Sequence, residues 1–85
     1  MPYYLLLTRS ITHAQRMSST LTQAGIPARY FRPPVGLTGR GCGYAVHVSP
    51  LHVSAAMTVL RNSSLQPVRV MYTPGDGTFS EVTLS

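Results

Sequence analysis

Residues 27–48 read PARYFRPPVGLTGRGCGYAVHV, and this stretch decides the fold. PARYFR (27–32) predicts a strand, with Tyr30 and Phe31 supplying β-propensity. PPVGLTGRGC (33–42) is a loop, because two prolines and three glycines prevent regular structure. YAVHV (44–48) is a further strand. Two strands therefore follow each other with only a loop between them, which reads as a hairpin in the middle of the chain.

A helix flanks this hairpin on each side. YYLLLT (3–8) is continuously apolar and β-prone, as suits a strand buried in the middle of a sheet. SITHAQRMSSTLTQAGIP (10–27) follows. Thr12 with Gln15 three residues on is a capping-box pattern, and Gly25-Ile26-Pro27 is a helix stop. Ala14, Met17, Leu21 and Ala24 fall on one helical face. The serines and threonines between them are poor helix formers, so this helix depends on packing against the sheet. After the hairpin, Ser49-Pro50 reads as N-cap and first helical residue. Val53, Ala56, Met57 and Leu60 then form a second core-facing stripe. PVRVMYT (67–73) is a fourth strand, PGDG (74–77) a turn, and TFSEVTL (78–84) a fifth strand hairpinned onto the fourth.

The order is β-α-β-β-α-β plus one strand. With right-handed crossovers and the central hairpin, the expected fold class is α+β. It is a ferredoxin-like split βαβ sandwich, antiparallel sheet order 4-1-3-2, with an extra C-terminal edge strand. At 85 residues the chain (1–85) is read as a single domain, with 74–85 forming the C-terminal hairpin. The fold class says nothing of activity.

Composition narrows the function classes. An apolar fraction of 44% is too high for a disordered tail. No apolar run approaches the roughly 20 residues of a membrane span. Tyr3–Leu7 has no basic segment before it and Arg9 directly after it, so it reads as a strand and not a signal peptide. A cytoplasmic location is expected. One cysteine forms no internal disulfide and rules out a cysteine-rich zinc site. His13, His47 and His52 form no i, i+4 pair, so no metal is expected either. All seven basic residues are arginines, at 9, 16, 29, 32, 40, 61 and 69, against Asp76 and Glu81 alone. The net charge of +5 permits an anionic partner, but no basic run marks one.

Cys42 is the residue that carries chemistry. The topology brings the hairpin loop to the sheet edge where the first helix begins, near Thr8, Arg9, Ser10, Thr12 and His13. A helix N-terminus and a nearby arginine, Arg9 or Arg40, favour thiolate over thiol, whose unperturbed pKa is about 8.5. Gly41 and Gly43 leave main-chain N–H groups open to an anionic sulfur or selenium. The other reading is a small apolar residue capping a strand. The local residues do not choose between the two.

The segments YYLLLT, THAQRM, AGIPARYFRPP, GCGYAVHV and SPLHV together resemble the selenium/sulfur carrier-like family of short bacterial domains, over residues 3–73. The resemblance implies a carrier: Cys42 takes up sulfane sulfur or selenium as a persulfide or selenosulfide and relays it. It implies donor and acceptor proteins as partners and no cofactor beyond the covalently carried atom. Thr12 and His13 match the family's Thr-His at the helix start. Arg40-Gly41 stand where the family commonly has serines.

Two other function classes compete with a carrier. Enzymatic Cys/His catalysis would use His13 as base, but both carboxylates lie in the C-terminal hairpin and none orients the imidazole. A carrier or accessory protein fits better than an enzyme with its own turnover. The alternative is a small binding or dimerisation module, either a homodimer joined through its edge strand or a nucleic-acid binder using sheet tyrosines. Nucleic acid is the weaker option, because the aromatic run of RNA-binding sheets is absent.

Overall fold

The computed structural model describes residues 1–33 and 43–83. Along the chain these form β1 (Tyr3–Thr8), α1 (Ile11–Gln23), β2 (Arg29–Phe31), β3 (Tyr44–Val48), α2 (Val53–Asn62), β4 (Arg69–Thr73) and β5 (Ser80–Val82). The strands make one antiparallel sheet in the order β2-β3-β1-β4-β5. Seen from the β5 side the same sheet runs β5-β4-β1-β3-β2. The four-strand unit is thus part of a single five-stranded sheet. The chain is a small α+β protein, with two helices among the described residues.

β1 is the central strand, paired with β3 on one side and β4 on the other. That position explains its unbroken apolar run: Leu5, Leu6 and Leu7 are all buried, pointing alternately to the two faces. On one face Leu6, Val46, Val48 and Val70 meet Ala14, Met17 and Leu21 of α1 and Val53, Ala56 and Leu60 of α2. On the other, Leu5, Leu7, Ala45 and Met71 form a smaller cluster edged by Tyr3 and Phe79. Both helices therefore cover the same face.

Several element ends differ from the sequence expectations, each for a local reason. The cap of α1 is Ser10 and not Thr12; the Ser10 hydroxyl accepts from the His13 N–H at 3.1 Å, and Thr12 lies in the first turn. Ser10 lacks a Glu or Gln at its third following position, so the box pattern pointed two residues downstream. Ala24 is exposed, because the helix ends there and the chain turns away. α2 begins at Val53, three residues after Pro50. Ser49 opens a preceding turn instead: its carbonyl accepts from the His52 N–H at 3.0 Å, and its hydroxyl lies 3.2 Å from the His52 ring. β2 spans 29–31 and not 27–32; Pro27 has no N–H to pair, and the Ala28 carbonyl accepts from the Ser18 hydroxyl. β4 starts at Arg69 and β5 covers only 80–82. Thr78 is held in the turn by Asp76.

Candidate functional site

The candidate site lies where β1 leaves the sheet and α1 begins. Thr8 pairs with Tyr44 in the β1–β3 register, so the first residue of β3 lies beside the last residue of β1. Gly43, one residue earlier, lies tighter still. A Cβ placed on it would collide with the Thr8 carbonyl oxygen and sit 4.0 Å from the Arg9 Cα. Gly43 also has φ +126°, a conformation that side chains disfavour. Glycine is required here twice over.

The Thr8 hydroxyl ties the junction together. Thr8 is only 3% exposed, and its Oγ1 lies 3.1 Å from both the Ser10 and the Tyr44 carbonyl oxygens. It donates to both carbonyls, one at the helix cap and one at the start of β3. The Ser10 carbonyl also accepts the first helical bond, from the Ala14 N–H at 3.1 Å. No acidic residue occupies the first turn of α1, so the partial positive charge of that helix end has no carboxylate beside it within the turn.

Of the residues singled out from sequence, Arg9, Thr12, His13 and Gly43 are gathered at this junction. Arg9 and Thr12 are exposed and His13 is half-buried. Arg40, Gly41 and Cys42 lie outside the described residues. Thr8 and Ser10 were legible only as neighbours of the site. The double hydrogen bond of Thr8 and the capping role of Ser10 are tertiary facts. Among the described residues no three of His, Cys, Asp and Glu cluster as metal ligands, and no helix is long and apolar enough to cross a membrane.

The tyrosines bear on the binding-module alternative. Tyr4 and Tyr44 pack against the helix-side core, and Tyr72, opposite Tyr4 in the register, contacts it with ring centroids 5.0 Å apart. The Tyr30 hydroxyl accepts from the Gln15 side chain. Only Tyr3 lies on the helix-free face, stacked on His47 at 4.5 Å and edge-on to Phe79 at 6.3 Å. These rings shield Leu5 and Met71 and do not form an open row.

The fold and this junction define a small α+β protein in which Gly43, at the entry to β3, lies beside the segment that leads from β1 into α1. The chain belongs to the Se/S carrier-like family, whose model, described as "Putative Se/S carrier protein-like", matches residues 3–75. The match includes Cys42 and runs into the turn before β5. Comparison with curated proteins and with solved structures finds no match.

Proposed function

We propose that the protein carries sulfur or selenium on Cys42, within the ferredoxin-like βαββαβ arrangement to which β5 adds an edge strand. The observation that supports this most is the family match, which spans Cys42. The geometry of the described residues adds to it. Cys42 is joined by one peptide bond to Gly43, and Gly43 lies against the Thr8–Arg9 peptide at the start of α1. A thiolate in that neighbourhood gains from the helix end and from Arg9. Gly41 and Arg40 are given supporting roles by residue type alone, glycine for its lack of a side chain and arginine for its charge. Thr12 and His13 lie in the first turn of α1, where a main-chain or side-chain donor serves an anionic sulfur.

The chemistry is exchange and needs no outside oxidant. The Cys42 thiolate attacks the terminal sulfur of a donor persulfide. A new S–S bond forms, the donor's S–S bond breaks, and its electron pair leaves on the donor thiolate. A selenosulfide donor delivers selenium in the same way. Release to an acceptor thiol is the reverse step with a different partner. This requires an accessible sulfur and room for two proteins to meet, not an enclosed pocket.

Intact mass after treatment with a small-molecule persulfide tests the proposal. Wild type should gain one sulfur atom, lose it to excess reducing thiol, and fail to gain it as Cys42→Ser. Equal mass gains for wild type and Cys42→Ser, zero included, would make the carrier reading wrong and leave a binding module as the better one.

A further inference from the structure

We propose that the β2 edge of the sheet is a docking site for an acidic, extended segment of a partner protein, which adds to β2 as a further strand. The proposal goes beyond the carrier reading and does not depend on it.

β2 ends the sheet on its side and, among the described residues, pairs with β3 alone. The main-chain groups along its outer edge are therefore a template for another strand. Arg29, Tyr30 and Phe31 are all exposed, as is Arg32 after them. Arg29 and Phe31 pair with His47 and Ala45 and so share the helix-free face with Leu5 and Leu7. Tyr30 pairs with Val46 on the other face, where its hydroxyl accepts from Gln15 of α1. An added strand thus meets an aromatic ring on each face, Tyr30 at 39% exposure and Phe31 at 37%.

Charge selects the kind of strand. The chain has two carboxylate side chains, Asp76 and Glu81, and both belong to the opposite side of the sheet, in β5 and the turn before it. There Glu81 lies 3.6 Å from Arg69, the one ion pair among the described residues. The β2 side has Arg29 and Arg32 and no carboxylate side chain to meet them. Arg16 of α1 adds to this charge. With Gln15, Ser19 and Gln23 it lines a shallow hollow of about 400 Å³ on the outer face of the helix. A second copy docked here would bring like charges together, between molecules that each carry +5. A strand bearing glutamate or aspartate opposite the arginines meets opposite charge instead. The other edge, β5, presents Glu81 and repels such a strand.

The test uses full-length protein and a blocked, dye-labelled peptide of alternating glutamate and valine. Fluorescence anisotropy should show binding at low salt that weakens as salt is added. Amide NMR shifts should centre on residues 29–32 and not on 80–82. Arg29→Glu combined with Arg32→Glu should weaken binding several-fold with an unchanged circular dichroism spectrum, and Glu81→Gln should not weaken it. If the double variant does not fold, Arg29→Gln with Arg32→Gln decides. A peptide N-methylated at every second residue keeps its charge but cannot complete the ladder, and should not bind. No binding at low salt, unweakened binding by the folded double variant, or shifts centred on β5 would overturn the proposal. So would equal binding of the N-methylated peptide or of a single-stranded oligonucleotide of the same charge, since either would mean attraction to any anion. Sedimentation of the protein alone covers the remaining occupant: a dimer that the peptide dissociates would assign the edge to a second copy and overturn the proposal.

Discussion

Gly25 and Gly43 both adopt positive φ, +83° and +126°, yet different forces select them. Gly25 follows the last turn of α1 in a Schellman arrangement. Its N–H donates to the Thr22 carbonyl, and the Ile26 N–H reaches back to Leu21 at 2.9 Å. A Cβ there would meet nothing within 4 Å, so the backbone angle alone favours glycine. Gly43 has the angle and a collision as well. The end of α2 supports this distinction, because the same pair of hydrogen bonds forms around Ser64, a non-glycine residue at φ 57°. A helix exit tolerates a side chain at modest cost. The return of the chain into β3 does not.

The largest expected effect is at Gly43. Gly43→Ala should destabilise the fold by roughly 3 kcal/mol, because strain in the backbone adds to a contact that only strand separation relieves. Urea unfolding would measure it. Gly25→Ala should cost less, about 1 kcal/mol, the usual cost of a left-handed alanine. Equal losses at the two positions would break the comparison. Ser64→Gly should run the other way and raise the unfolding free energy by at most about 1 kcal/mol, less whatever the unfolded chain gains in freedom. A loss there would mean that the Ser64 side chain has a role of its own.

The smallest effect belongs to the β4–β5 turn. The Asp76 carboxylate accepts from the Thr78 hydroxyl at 2.6 Å and from its N–H at 3.0 Å. Chiefly through the hydroxyl bond, this holds the Asp76 pKa below its ordinary value of 3.8. The folded pKa is the lower one, so the contribution is present above the unfolded value and is lost as pH falls through the folded one. Asp76 is fully exposed, so the effect should be slight. Unfolding midpoints of wild type and Asp76→Asn should differ at neutral pH and converge in acid. A constant gap across that range would remove the carboxylate from the explanation.

Much of the architecture was legible because its signals are local. The apolar run of β1 marks a strand buried on both faces, and the Ala14–Met17–Leu21 and Val53–Ala56–Leu60 stripes each state a period and a buried face. Element ends were less legible. Thr12 and Gln15 imitate a capping box, but hydrogen bonding begins at Ser10, where β1 releases the chain. Pro50 could have opened a helix, but Ser49 and His52 pair first and close a turn. Such ends are settled by which neighbour satisfies each N–H and C=O, and that depends on partners elsewhere in the chain.

By itself the sequence determined the element order, the two helical faces, a lone cysteine between glycines, and a family resemblance that the family match bears out over residues 3–75. Spacing and residue type are enough for these. Only the tertiary structure decided that Thr8 faces Tyr44, that its hydroxyl joins a helix cap to a distant strand, and that residue 43 has no room for a side chain. Residues 8 and 44 are separated by a helix and a strand. No local pattern encodes their contact, because it arises only when α1 packs on the sheet and β3 pairs with β1.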